Sequence, residues 1–538
     1  MKSKFLVAII PALLTTLLLP AQETVQIVTE VHSNQQVFIT GEDIWLEGSL
    51  TKGNSFSKSI TVRLMDRTGK VRLEKDLPQH QKKFSGFMSL SQNLASDYYF
   101  LDCLIKGESS YNQLQPVMII NPKIPPAAGC QATPLTNAVS RNVVNIPLNV
   151  QTDKTVYAPR ENVTVTAEGL KNLQDISITA HRNDRLNNLI QYVSEDFGVT
   201  VRHTAAGSPE LEGHVIKARI TSNGKPVPGI TLLTGIKGGK ANLASAISDE
   251  MGIARFILPV SYDNSQLFIT TETKNANSNR IELLKDAEEN AAVAFPCLKL
   301  DPSMQEDIEE RTLNMNITSL FYGSSTRAYA IPERDTTDFY GRPDQRYLLD
   351  EYVRFPNMEE VITEIIPEVR VKKDNGIPVL QVLNIPFKMF FNQQALLMVD
   401  GVPITNARDI LEADPLRIRC IDVISRRYMM GVTEFPGIVH FKSYKNDLGG
   451  LKPADNSLLT TFSGLQETAS LQPPALFSNR LPDLRNLLVH EQGISPDATG
   501  KIQVKFNTSD AAGAYTLTLR GLSAEGKVIK KQLNFEVK

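Results

Sequence analysis

Long apolar runs are nearly absent from this chain. After a run from Phe5 to Leu19, no second segment is long and apolar enough to cross a bilayer as a helix. Cysteine is scarce: Cys103, Cys130, Cys297 and Cys420 stand far apart and form no C-x-x-C pair, which removes zinc-ribbon and thioredoxin-like chemistry. The seven histidines form neither H-x-x-x-H nor H-E-x-x-H, so a zincin-type metal site is unsupported. No serine sits in a G-x-S-x-G turn. An excess of one charge is missing too: 57 basic against 59 acidic residues give a net −2, with no electrostatic case for nucleic acid or an anionic membrane surface. There is no glycine-rich or serine-rich tract, and a single tryptophan, Trp45.

What is present is ordinary globular material. With 538 residues, 41% hydrophobic and 22% charged, the chain can build several cores, and its length suggests three to five domains. Lys2 and Lys4 precede the Phe5–Leu19 run, and Pro20-Ala21 leads to a polar start at Gln22. That order reads as a Sec-type signal peptide, 1–21, cleaved after Ala21. No cysteine stands at the cleavage point, which disfavours a lipoprotein. Export would permit a Cys103–Cys130 bridge, but Cys103 alternates with apolar residues in a strand and reads better as a packed thiol.

An internal repeat organises the first third. Val31 to Leu46 matches Val150 to Val165 at one offset, with Phe38 over Tyr157 and Glu42 over Glu161. In both copies an aromatic ends a strand, a turn follows, and an alternating strand resumes (Ile44, Leu46; Val163, Val165). Alternation turns Trp45 to the face opposite Ile44 and Leu46, where it is either a lone exposed aromatic at an interface or, as is more common in tandem sandwiches, packed on a neighbouring module. Further strands at Ile60–Met65, Gly86–Leu90 and Tyr98–Leu104 fit a β-sandwich. The aromatic-x-x-Gly-Glu and Tyr157-Ala158-Pro159-Arg160-Glu161 elements resemble macroglobulin-type sandwiches, with Arg160 where such repeats often carry glycine. The resemblance implies a sandwich at 22–122, a proline-marked linker at 123–144 and a second sandwich at 145–205.

Leu211–Ala218, the Asn223-Gly224 turn and Ser248–Pro259 resemble a carboxypeptidase-regulatory-like sandwich, 206–290. A helical and loop connector follows, 291–346, with Ser303 and Glu306 at capping-box spacing and an acidic run, Asp307, Glu309 and Glu310, read as a solvated helix face. A second short helix is expected from Asn357, stopped by Pro367.

Leu396 to Ile404, Ile421–Ile424 and Gly437–Phe441 read as a buried strand, a tight turn and two more strands. They resemble the plug domain of TonB-dependent outer-membrane receptors, 347–449, without the barrel. The resemblance assigns a structural or docking motif to Asp400, Gly401, Pro403, Asp422 and Gly437. The segment Arg426 to Pro436 has fewer glycines than plugs often show, which argues against ligand gating. Residues 450–538, with Ile502–Phe506, Ala514–Leu519 and Leu533–Val537, resemble a last macroglobulin-type sandwich.

No catalytic, cofactor-binding or metal-ligating residue stands out. A macroglobulin thioester needs Cys-Gly-Glu-Gln, and the near match Val489-His490-Glu491-Gln492 has valine in place of the nucleophilic sulfur. Glu23 to Val28 loosely resembles a TonB box, yet suits a first strand better. The expectation is a mainly β protein of tandem immunoglobulin- or macroglobulin-like sandwiches with one α+β plug-like domain. Its expected role is non-enzymatic: an exported scaffold, periplasmic or outer-membrane associated (the cell surface is the alternative), binding an outer-membrane protein such as a β-barrel. It needs no cofactor and no nucleic acid. The alternatives are a thioester-less macroglobulin-like protease inhibitor and a carbohydrate-binding surface protein.

Overall fold

The structure, a computed structural model, describes residues 27–127, 139–140, 148–187, 197–204, 210–238, 240–262, 264–272, 279–284, 292–293, 295–330, 336–431, 433–473, 481–523 and 528–538. The expected signal peptide, Cys130 and most of the 123–144 linker lie outside these residues. The architecture is mainly β, in tandem sandwiches with one α+β module.

The first sandwich runs through Ile27–Ser33, Asp43–Lys52, Lys83–Ser89, Val71–His80, Ser59–Asp66, Asp97–Leu104 and Ser110–Ile120 in spatial order. The last of these lies parallel to Ile27–Ser33, so the hydrogen-bonded path closes. Alternate residues such as Val31, Ile44, Leu46, Val62 and Leu101 fill its core.

The repeat is structural as well as sequential. Asn34 Oδ1 accepts from Trp45 N at 2.9 Å, and Asp153 Oδ1 accepts from Thr164 N at 2.8 Å. Glu42 accepts from Ile39 N at 3.0 Å, and Glu161 from Ala158 N at 2.8 Å. Gly41 (φ 100°) and Arg160 (φ 58°) share the left-handed region. A non-glycine residue is uncommon there. Arg160 offsets its backbone cost by placing Nε and Nη2 on Asp510, both at 2.6 Å.

The domain order differs from expectation. Residues 145–205 and 450–538 are not two sandwiches. Asn162–Glu168 pairs with Ile502–Asn507, and Gln174–Arg182 sits between Leu487–Ile494 and Gly513–Leu522. They form one chain-discontinuous sandwich around Tyr157, Val163, Ile178, Tyr515 and Phe535. Neither segment has enough strands to cover both faces of its own core. Phe197–His203 leaves this region and pairs with Ser110–Ile120 of the first sandwich.

The third sandwich faces His214–Ser222, Ile253–Leu258 and Asn279–Leu284 against Thr231–Lys237, Ala244–Ile247 and Asn264–Thr271. Its edge is completed by Leu458–Ser463, which follows the α+β module in the chain. The loop part of the expected 291–346 connector contains a strand, Arg327–Ala330, paired with Thr468–Leu471, and a second strand, Gln345–Leu348, begins at its end.

Helix α1, Gln305–Phe321, lies across the first and second sandwiches. No Ser303–Glu306 capping box forms; Asp301 accepts from Ser303 N at 2.8 Å and caps a 3-10 turn that leads into the helix. The acidic run is engaged rather than free: Asp307 pairs with Arg185 and Glu310 with Arg182. Buried Arg311 reaches Glu42 and Asp184. Cys103 is a free, buried thiol 3.2 Å from Asn112 Oδ1, so no Cys103–Cys130 bridge exists; Cys297 is disulfide-bonded. Trp45 is 2% exposed and packs in tilted contact with Phe87 and with His490, a residue of the second sandwich.

Candidate functional site

The α+β module has a five-stranded sheet in the order Gln345–Leu348, Ile418–Met430, Thr433–Ser443, Leu396–Val399, Val402–Ile404. Helices α2, Met358–Ile365, and α3, Ala407–Leu411, cover one face with Val361, Ile362, Ala407 and Ile410. Asn357 and Asn406 cap them by accepting from Glu360 N and Arg408 N.

Asp400 and Gly401 form the two-residue turn between Val399 and Val402, with φ 47° and 86°. Both central residues left-handed is the geometry for which Asp-Gly is favoured in a hairpin. The buried Asp400 carboxylate accepts from Ser443 N (2.7 Å), Ser443 Oγ (2.6 Å) and Leu448 N (2.8 Å). The turn's outer side is occupied as well. Asp400 O accepts from Gly238 N at 2.9 Å, and a Cβ on Gly401 would stand 2.9–3.0 Å from the Lys240 and Ile236 carbonyls. Pro403 is buried beside Gly235. The turn is thus docked onto the third sandwich of its own chain.

Asp422 lies at the centre of a second cluster. It accepts from Arg346 Nε (2.6 Å) and Nη2 (2.8 Å) and from Tyr340 Oη (3.1 Å), and pairs with Lys442 Nζ at 3.0 Å. Lys442 also reaches Asp338 at 2.7 Å. Burial alone would raise the Asp422 pKa, but Arg346 and Lys442 outweigh it and hold it at about 2. Burial and the nearby Lys442 push His440 down to about 4.

Gly401 N donates to His440 Nε2 at 3.1 Å, so Nε2 carries no proton; Nδ1 then donates to Tyr340 Oη at 2.8 Å. Tyr340 passes its own proton toward Asp422 or Asp338. Two carboxylates and two cations balance around a neutral imidazole. Asp338, Asp422 and His440 could together face a metal ion, but the Lys442 ammonium already sits between the carboxylates. With His440 and Asp422 both fully buried, the cluster braces the module.

The structure therefore brings Asp400, Gly401 and Pro403 together at the turn and joins them to Asp422 through His440. Gly437 stands apart, at φ 88°, where a Cβ would lie 2.8 Å from the Val382 Cβ. Gly437→Ala should lower stability by about 1–3 kcal/mol, read as a shifted urea midpoint. Asp338, Tyr340, Arg346, His440 and Lys442 were not singled out from sequence. A signal existed: Asp422 and His440 interrupt apolar strands and prove to be paired across the ladder.

On the sheet's open edge, Gln345–Leu348 pairs on one side only among the described residues. Beside it Arg354 donates to Pro415 O (3.3 Å), Ile418 O (3.1 Å) and Tyr444 Oη (2.6 Å). It thereby gathers exposed Val353, Tyr352, Leu416 and Tyr444. The Val489–Gln492 segment lies within the Leu487–Ile494 strand, where Gln492 contacts His490 and Glu491 points to solvent.

The described architecture defines a class: sandwiches interleaved with one α+β module. No protein-family model and no curated protein matches the chain. Among solved structures it is similar to an α2-macroglobulin of Salmonella reacted with methylamine, at 8% identity and TM-score 0.22, over 96% of this chain and 39% of that one. A trypsin-activated α2-macroglobulin from Escherichia coli gives 8% identity and TM-score 0.23, over 95% and 41%. Latent PorU from Porphyromonas gingivalis gives 9% and 0.17, over 50% and 34%. The chain spans about two fifths of the macroglobulins' length, and superpositions this loose transfer neither activity nor partner.

Proposed function

We propose that the chain is a non-enzymatic binding scaffold of a Gram-negative envelope, an accessory subunit that docks an outer-membrane protein through its α+β module. One observation supports this reading: the open Gln345–Leu348 edge beside an apolar patch fixed by Arg354. Val353 is 79% and Leu416 62% exposed. An unpaired edge offers main-chain groups for strand addition, and the neighbouring apolar side chains would select the partner. Clusters of this kind mark interaction sites rather than scattered surface residues. The motif residues Asp400, Gly401 and Pro403 then shape the module, while the partner meets the opposite edge of the sheet. For the thioester-less inhibitor alternative, Val489 rules out covalent trapping only.

Immobilised protein should retain an outer-membrane protein from detergent-solubilised envelopes. Val353→Lys should lose that protein while melting at the same temperature. Retention of nothing by the unmodified chain, or equal retention by the variant, would overturn the proposal.

A further inference from the structure

The first and second sandwiches face each other across a cleft of about 300 Å³. One wall is the Ser33–Gln36 turn with Glu47; the other is one sheet face of the second sandwich. That face is a regular polar grid. Ser177 lies opposite Arg520, Thr179 opposite Thr518 and His181 opposite Thr516 on one ladder. Lys530, Gln532 and Asn534 continue the three rows on the next strand. The intervening residues, such as Ile178, Leu517 and Leu519, fill the core. A polar outer face is ordinary for a sheet open to water. Here the first sandwich covers the part with Ser177, Thr179, Thr516 and Arg520 and leaves Gln532 and Asn534 exposed, so the covered polar groups are enclosed without apolar packing, and every described side chain lining the cleft is polar.

Among the described residues, several atoms of those groups have no partner. Arg520 is 6% exposed; its Nη1 lies 3.6 Å from Glu47 Oε1, yet its Nε and Nη2 are buried and unpaired. Asn34 and Gln36, each 8% exposed, leave Nδ2 and Nε2 unpaired. A buried donor without an acceptor is costly, and a native structure that keeps four beside one cleft calls for an explanation.

All four atoms donate, so the missing occupant must accept. The Nε–Nη2 edge is a fork whose spacing matches a carboxylate. This chain uses the same edge that way repeatedly: Arg311 on Glu42 (2.9 and 2.8 Å), Arg346 on Asp422 (2.6 and 2.8 Å) and Arg485 on Asp483 (2.8 and 2.8 Å). Arg520 also lines a second hollow, of about 350 Å³, beside Lys83 and Asp175. Gln36 lines only the first cleft and Asn34 is absent from the second hollow, and together they fix which of the two is filled.

We propose that this cleft binds a small hydrophilic carboxylate, seated on the Nε–Nη2 edge of Arg520 and completed by the amide donors of Asn34 and Gln36. The absence of aliphatic, Phe, Tyr or Trp lining among the described residues argues against a lipid tail. A sugar acid and a peptide's terminal carboxylate both carry this chemistry. Because the two walls belong to different sandwiches, the ligand would bridge them. The site is remote from the docking edge and independent of that reading.

Titration calorimetry on the full chain tests it with two pairs of probes: glucuronate against glucose, and N-acetyl-dialanine against its C-terminal amide. One acid should bind at least roughly tenfold more tightly than its neutral twin, the range expected for hydrogen bonds to a charged group. The pair that shows the difference identifies the source. Arg520→Gln should abolish the preference. Gln36→Ala, which leaves Arg520 in place, should weaken the acid by roughly threefold to tenfold, with an unchanged melting curve. Equal binding of acid and neutral twin, or no binding of either acid, overturns the proposal, since water then satisfies the guanidinium. So does a folded Gln36→Ala protein that binds like the unmodified chain.

Discussion

Asp422→Asn will lower the unfolding free energy by about 3–5 kcal/mol in urea, the loss typical of breaking a buried ion pair from one side. The carboxylate is fully buried, and its removal leaves Lys442, whose side chain is 13% exposed, sharing only Asp338. Tyr340 loses one of its two carboxylate acceptors in the same step. The balance of two anions and two cations becomes an uncompensated positive charge in the interior. Arg346→Gln is the informative contrast. Its side chain is 49% exposed, so the partner left behind keeps Lys442 and Tyr340, and solvent screens the arginine's share. That variant should cost about 1 kcal/mol or less. Equal losses for the two variants would mean that the arginine, rather than the buried carboxylate, organises the cluster.

Sequence made the local elements legible and left their partners hidden. The repeat is a case where periodicity and spacing sufficed: Asn34 and Asp153, Glu42 and Glu161 make the same hydrogen bonds in both copies. The Asp400-Gly401 turn was equally readable, because few dipeptides tolerate two left-handed residues in succession. Strand Ile502–Asn507 was visible as a strand, but nothing in its alternation says that it pairs with Asn162–Glu168, more than three hundred residues earlier. Alternation fixes which face is buried, not which strand lies alongside. The same limit concealed the polar grid around Arg520. Thr516, Thr518 and Arg520 look like an ordinary solvent face until the first sandwich is laid over them. The Asp422 cluster falls between these extremes. A charge inside Ile421-Asp422-Val423-Ile424 announces a buried pair, but Asp338 and Arg346 come from the connector and only the fold delivers them.

Acidification from pH 7 to 4 should destabilise the protein by on the order of 3 kcal/mol for each of two buried histidines, at 1.36 kcal/mol per unit of pKa difference. In the folded chain burial pushes His440 down to about 4 and His490 down to about 3, against 6.5 for the free side chain. Between pH 6.5 and these values the unfolded chain binds more protons than the folded one, so stability is complete above pH 6.5 and falls as pH is lowered. Asp422, held at about 2, stays ionised throughout this window and adds its own loss only below pH 4. The geometry explains why His440 resists. Its Nε2 is the acceptor for Gly401 N–H, and a proton there would set two donors against each other and a new cation beside Lys442. The two facing carboxylates, Asp338 and Asp422, pull the other way but are already committed to Lys442 and Arg346. Melting temperature followed from pH 7.5 to 4.5 should therefore drop, and drop less in His440→Gln, whose side-chain oxygen can still accept from Gly401 while carrying no titrating proton. A pH profile unchanged by that substitution would place the acid sensitivity at His490, where Gln492 can turn its amide to accept from the protonated ring and no backbone donor stands in the way.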